Sequence, residues 1–152
     1  MPGSLSLTEA FAAIPLAAVC CDQSFGKDEA RVIRDQLLER SAYRTMEPYA
    51  FGLLISRLLQ RIREESWQTL ISDAAPSLSS DQQETAFALA CQLIHCDREV
   101  AAMEQEFLSE LAATLMLSQQ RARQIQEVCE LLNRDFGAEP ADGRMVSACW
   151  SP

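Results

Sequence analysis

The sequence predicts an all-α protein, a compact bundle of about seven helices built from two helical-hairpin repeats. Apolar residues recur every three or four positions in one segment after another, which is the spacing of a helix face. No stretch alternates polar and apolar residues for long enough to predict a strand. A pattern of Asp, two residues, an apolar residue, three residues and Glu occurs within residues 18–29 and again, 75 residues later, within residues 93–104. Each copy separates an apolar segment from an amphipathic one, so it predicts the turn of a helical hairpin.

The first two helices are predicted on either side of the first copy. The sequence Ser-Leu-Thr-Glu at residues 6–9 is a capping box, in which a hydroxyl and a carboxylate accept from exposed backbone N–H groups. The first helix runs from there to about Cys21, and Pro15 inside it predicts a kink or a late start. The second helix runs from about residue 26 to residue 40 and is expected to be half buried.

Two more helices complete the first half. After a polar connection at residues 41–47, Pro48 suits the first turn of a third helix, since its missing N–H has no partner there. The apolar stripe of this helix is Phe51, Leu54, Ile55, Leu58 and Ile62. A shorter fourth helix runs from about Ser66 to Ala74 and is ended by Pro76.

Three helices are predicted in the second half of the sequence. Ser80 or Asp81 caps the fifth, which runs to about Cys96. The sixth runs from about residue 101 to residue 116, and Ser118 caps the seventh.

Length and composition indicate one ordinary globular domain. A chain of 152 residues with 48% hydrophobic content can bury a core of its own. The helical spacing ends at Gly137, and prolines and glycines follow it. We therefore expect a helical domain at residues 1–136 and a flexible C-terminal tail at residues 137–152.

The charge excludes some partners. Lysine and arginine number 13 against 22 acidic residues, a formal charge of −9 that opposes binding to nucleic acid or to anionic lipid surfaces. Cations or basic partners are the expected ligands. Seven arginines, which could form a basic patch, fit a solvated helical face better: Arg31, Arg34, Arg40, Arg44, Arg57, Arg61 and Arg63.

Cysteine usage and the N-terminus predict a cytoplasmic location. The six cysteines form no CxxC pair and most occupy apolar helical positions, as free thiols do in a reducing compartment. No basic residue precedes the first apolar run, so no secretion signal is predicted. That run, residues 10–21, is too short to span a bilayer, and the protein is expected not to be transmembrane itself.

The repeated turn carries the predicted metal site. The Asp of each copy closes one helix and the Glu lies in the first turn of the next, so a short turn brings both carboxylates together. If the two hairpins pack about a pseudo-twofold axis, Asp22, Glu29, Asp97 and Glu104 converge. Carboxylate oxygens are the ligands that Ca²⁺, Mg²⁺ and Mn²⁺ prefer. The alternating ligands and central glycine of an EF-hand are missing.

A structural interpretation of the same residues stays open. An Asp beside a turn can accept from backbone N–H groups, and a Glu in a first helical turn is stabilised by the helix dipole. Phe25 and Val100 can act as hydrophobic staples. Every position would then have a role in folding alone.

The doubled pattern resembles the TerB-like tellurite-resistance family. The residues that carry the resemblance are Asp22, Phe25 and Glu29, then Asp97, Val100 and Glu104. The pattern is also similar to the N-terminal region of membrane-anchored J-domain co-chaperones. The resemblance implies a bundle of about seven helices, a divalent cation at the acidic turns, and a role in stress resistance or as an adaptor at the inner face of the membrane. Gln23 and Arg98 stand where the family usually has glycine.

Other constellations give weaker predictions. Cys91, His95 and Cys96 suggest zinc, but a fourth ligand is not evident and packed core thiols are the alternative. The single histidine has no partner in a recognisable nucleophile motif, and no glycine-rich phosphate loop is present. We therefore expect a protein that is not an enzyme.

Two functional hypotheses remain. In the first, the protein is a non-catalytic, tellurite-resistance-like stress protein whose repeated carboxylates bind a divalent cation. In the second, it is a metal-free helical adaptor that docks a protein partner, within a membrane-associated complex if the resemblance holds. The second predicts an exposed apolar patch near Tyr43, Met46 and Tyr49.

Overall fold

The computed structural model describes residues 5–21, 27–95 and 102–134, apart from the side chains of residues 27–29. Eight α-helices and one short 3₁₀ helix account for most of this part of the chain. They are α1 (Leu7–Cys20), α2 (Lys27–Leu38), α3 (Ser41–Arg44), α4 (Pro48–Glu64), α5 (Trp67–Ala74), the 3₁₀ helix (Ala75–Ser77), α6 (Ser80–His95), α7 (Ala102–Thr114) and α8 (Gln119–Leu132). No strand occurs among the described residues, and the all-α prediction is confirmed.

The helix beyond the expected seven is α3, which lies where a polar connection was predicted. Tyr43 gives the physical reason. Its ring is buried between Phe11 and Phe51, and its hydroxyl donates to the carbonyl of Thr8 over 2.6 Å. The Tyr43 ring therefore anchors this segment against α1, and the anchored segment forms one turn of helix.

The N-terminus of α1 forms the predicted capping box. The Ser6 hydroxyl accepts from the N–H of Glu9 over 3.2 Å, and the Glu9 carboxylate accepts from the N–H of Ser6 over 3.0 Å. Because the cap starts the helix at Leu7, the late start, one of the two alternatives predicted from Pro15, is wrong. The other alternative, a kink, stays a prediction. Pro15 lies inside the helix and is buried.

Helix α1 is the centre of the fold. Every residue from Ala10 to Ala18 is buried, so the helix has no solvent-facing side over this stretch. It packs on α4, α5 and α6, most extensively on α6. Its many alanines allow backbones to approach closely, and this explains how one helix can contact three others.

The loop after α7 ends that helix earlier than predicted. Met116 has φ of 62°, in the left-handed region. The N–H of Met116 donates to the carbonyl of Ala113 and the N–H of Leu117 donates to that of Ala112, which is the Schellman pattern of helix termination. The helix therefore ends at Thr114 rather than near residue 116.

Residues 137–152, predicted as a flexible tail, lie outside the described residues. The domain boundary at residue 136 therefore stays a prediction.

Candidate binding groove

The structure describes little of the predicted cation site. Asp22, Asp97 and the side chain of Glu29 lie outside the described residues. Glu104 is described, half buried in the first turn of α7. Among the residues that the structure describes, no group of three or more His, Cys, Asp or Glu side chains is arranged to hold a metal ion. The convergence of the four carboxylates stays a prediction.

The histidine of the zinc hypothesis is buried at the last position of α6. His95 is 6% exposed, and its Nε2 has no hydrogen-bond partner within the described part of the chain. A buried polar atom without a partner costs free energy, and in the described part of the chain this cost falls on His95 Nε2. Cys96, its proposed co-ligand, is not among the described residues.

Two thiols meet between α6 and α8. Cys91 is fully buried and its thiol lies beside that of Cys129, which donates to the carbonyl of Ala88 over 3.9 Å. The neighbouring Cys129 thiol, together with burial, raises the pKa of Cys91, and the neighbouring Cys91 thiol lowers the pKa of Cys129. Cys129 is therefore the more acidic thiol of the pair, and it also lines a surface depression between the two helices.

A large open groove lies between α2 and α4. Both helices pack on α1, and the space left between them is a groove of about 690 Å³ with Leu16 of α1 among its lining residues. Apart from two arginines, the described residues that line it are apolar or glycine: Leu16, Ala30, Ile33, Leu38, Met46, Pro48, Phe51, Gly52, Ile55 and Leu59. This size falls in the range of roughly 300–1,000 Å³ that small-molecule sites occupy.

Arg34 and Arg44 are the polar groups of this groove. The guanidinium of Arg44 donates to the backbone carbonyl of Glu39 over 3.1 Å. Neither arginine takes part in any of the ion pairs found within the described ranges, which use Arg57, Arg61 and Arg121. The groove therefore combines an apolar lining with two cations that are not neutralised by described carboxylates.

The arginines predicted to form a solvated face thus have distinct roles. Arg61 forms ion pairs with Glu65, four residues later in the sequence, and with Asp73 of α5. Its hydrogen bonds to these two carboxylates raise its pKa. Arg40 lies 5.2 Å from the centre of the Phe11 ring, a cation–π contact. Helical spacing alone could not separate these roles, because they depend on which helices become neighbours.

The apolar patch expected around Tyr43 is not formed as predicted. Tyr43 is buried, Met46 lines the groove, and only Tyr49 is largely exposed, at 72%. A different exposed apolar face lies on α8, where Val128, Leu131 and Leu132 are between 52% and 70% exposed.

None of the described helices has the length and apolar character needed to cross a membrane. Comparison of the chain with protein-family models, with curated proteins and with solved structures gives no match.

Proposed function

We propose that the protein is a non-catalytic, cation-responsive helical bundle in which Asp22, Glu29, Asp97 and Glu104 bind a divalent ion such as Ca²⁺, Mg²⁺ or Mn²⁺. The observation that carries the proposal is that the segments related by the repeated sequence pattern bury equivalent positions. Under the 75-residue offset of that pattern, α1 corresponds to α6 and α2 to α7.

Burial in the following helices supports the same repeat. Ile33 of α2 corresponds to Leu108 of α7 under this offset, and both are buried. Leu37 and Ala112 correspond in the same way and are also buried. Two segments that bury equivalent positions fit two copies of one structural unit.

The arrangement of α1 and α6 favours convergence of the two turns. The first turns of these helices line one cavity together: Leu7, Thr8 and Phe11 with Asp81, Gln82 and Thr85. Since the helices begin side by side and pack on each other more extensively than any other pair described, we infer that they run in the same direction. Cys20 and His95, which precede the two turns, would then lie at one end of the bundle.

A hard cation at that end would join the two hairpins. Carboxylates brought together without an ion repel one another, and a divalent ion would replace that repulsion with several favourable bonds. The resemblance to the tellurite-resistance family implies, in addition, a role in stress resistance that does not involve catalysis.

The test is a melting curve of the purified, EDTA-stripped chain with Ca²⁺, Mg²⁺, Mn²⁺ or Zn²⁺ added. Binding to the folded state raises stability by about 2.7 kcal/mol when the free ion is at about 100 times its Kd. The double variant Asp22→Asn, Glu104→Gln should lose the increase. The matched control is Asp35→Asn, Glu110→Gln, which removes the same charge from exposed positions of α2 and α7 and should keep it.

Other outcomes would redirect the assignment. An increase with Zn²⁺ alone would place the site at His95 and its cysteines, and no increase with any ion would contradict a cation site.

A metal-free adaptor is the second candidate, favoured by the exposed apolar face of α8 at Val128, Leu131 and Leu132. A photo-reactive residue placed at Leu131 should give one discrete cross-linked protein in cells, in the membrane fraction if the partner belongs to a membrane-associated complex. The same group at Arg123, exposed on the same helix, should give none. Equal products from both positions would argue against a specific docking face.

A further inference from the structure

We propose that the groove between α2 and α4 binds a free long-chain carboxylate, with the aliphatic chain in the apolar cavity and the carboxylate at Arg34 and Arg44. This inference is independent of the cation site, because the two share no residue. It assigns the cavity a ligand class, a single-chain anionic amphiphile.

The cavity suits an aliphatic chain. The described residues that line it are ten apolar or glycine residues and two arginines, with no acidic side chain among them. Taking the roughly 30 Å³ that one water occupies in the liquid as the volume of a non-hydrogen atom, its volume of about 690 Å³ has room for about 20 such atoms. A saturated carboxylate of about 12 to 16 carbons has a number of non-hydrogen atoms that fits this volume. Such a ligand would fill most of the cavity and bury apolar surface that is otherwise open to water.

The two arginines of the groove favour a ligand with an anionic head group. Arg34 and Arg44 are cations at an apolar cavity and have no ion pair within the described residues. A guanidinium presents N–H donors in a fork that matches a carboxylate, so an anionic head group is favoured over a neutral or cationic one.

The net charge favours a single free ligand over a membrane. The chain carries a formal charge of −9, so a surface covered with anionic lipids repels it as a whole. One carboxylate adds one negative charge and meets two local cations. We therefore commit to the free carboxylate as the occupant.

Gly52 allows the cavity to be closed without disturbing the backbone. It lies in α4 and lines the groove, and a Cβ placed there would meet no atom within 4 Å. A leucine there meets no clash, and because Gly52 lines the groove we expect its side chain to narrow the cavity. Gly52→Ala makes the same backbone change but leaves most of the cavity open.

The experiment is calorimetric titration of the full chain with dodecanoate below its self-association concentration. Dodecan-1-ol and dodecyltrimethylammonium, which carry the same chain with a neutral and a cationic head, are titrated in parallel. We expect one dodecanoate per chain, bound about tenfold more tightly than the alcohol, as one charged hydrogen bond would give, and weaker binding still for the cation.

The variants separate chain from head group. Gly52→Leu should abolish binding of dodecanoate and of the alcohol, while Gly52→Ala should retain both. Arg34→Gln with Arg44→Gln should weaken dodecanoate about tenfold or more and leave the alcohol unchanged. The control Arg31→Gln with Arg63→Gln, at exposed positions of α2 and α4, should change neither. A melting curve of each variant establishes that it is folded.

Three results would overturn the proposal. The first is equal affinity for the three head groups, and the second is unchanged dodecanoate binding in folded Gly52→Leu. The third is sedimentation with phosphatidylglycerol vesicles that depends on Arg34 and Arg44 in a chain that does not bind dodecanoate, which would assign the two arginines to a membrane surface.

Discussion

Among the residues that the structure describes, Met116 is the non-glycine residue with a positive φ, which is 62°. A side chain in this conformation costs free energy that glycine does not incur. The side chain of Met116 is 88% exposed, so little packing compensates that cost. We predict that Met116→Gly raises the free energy of unfolding by about 0.5–1 kcal/mol, measured by urea denaturation. Ala113→Gly, at an exposed position inside α7, should lower it by a similar amount.

Tyr43 makes stability depend on pH in the alkaline range. Burial raises the pKa of its hydroxyl above the ordinary value of a tyrosine. A group whose pKa is higher in the folded state stabilises that state below its unfolded pKa, about 10, and this stabilisation is lost as the pH rises further. The hydroxyl also donates to Thr8, a bond worth about 1 kcal/mol.

We therefore predict that Tyr43→Phe destabilises the protein less at alkaline pH than at neutral pH. At neutral pH the variant should be less stable by about 1 kcal/mol. Above pH 10 the difference should shrink, because the Tyr43 hydroxyl ionises in the unfolded chain while burial keeps it protonated in the folded one. Urea denaturation at pH 7 and at pH 10.5 measures both values. Tyr49→Phe, at an exposed position, should match the native chain at both. A pH-independent difference would contradict the argument.

At the scale of the element, α1 is the helix whose packing leaves least room. Ala17 is completely buried in a helix that contacts α4, α5 and α6. Adding three carbons at a closely packed site forces neighbouring side chains from their rotamers, at about 1–3 kcal/mol. We predict that Ala17→Leu lowers the free energy of unfolding by that amount, while Ala50→Leu, exposed in α4, changes it by less than about 0.5 kcal/mol. Thermal melting of the two variants makes the comparison.

The elements were predictable where one local signal determines them. The capping box placed the start of α1, Pro48 placed the start of α4, and a serine placed that of α8. α3 escaped prediction because its anchor, Tyr43, contacts residues distant in sequence. The end of α7 was misplaced because the Schellman turn uses methionine, where glycine would have been the recognisable signal.

At the scale of the whole molecule, the sequence did not predict the groove. Its lining residues come from α1, α2, α3 and α4 and from the segment before α4, and each looks like an ordinary helix-face or loop residue when taken alone. The cavity exists because α2 and α4 both rest on α1 without filling the space between them. The proposed cation site is the reverse case: its residues share a local pattern visible in the sequence, while their convergence stays a prediction because it depends on how the two proposed hairpins pack.

The described core indicates how much of the chain the folding unit needs. Every core residue that the structure describes lies between Ala10 and Cys129, which is consistent with the domain of residues 1–136 predicted from helical spacing. A chain ended at Phe136 keeps all of these residues. We therefore predict that it melts cooperatively within about 2 °C of the full chain, a shift that corresponds to less than about 1 kcal/mol for a domain of this size.

A chain ended at Glu127 is the matched comparison, because it removes the last turn of α8 and Cys129 from the core. Losing a buried side chain and the packing of that turn costs several times more than removing surface residues, so this chain should melt at least about 5 °C lower. If the chain ended at Phe136 showed a loss of the same size, residues 137–152 would have to contribute buried contacts of their own. The domain would then extend to the C-terminus of the sequence.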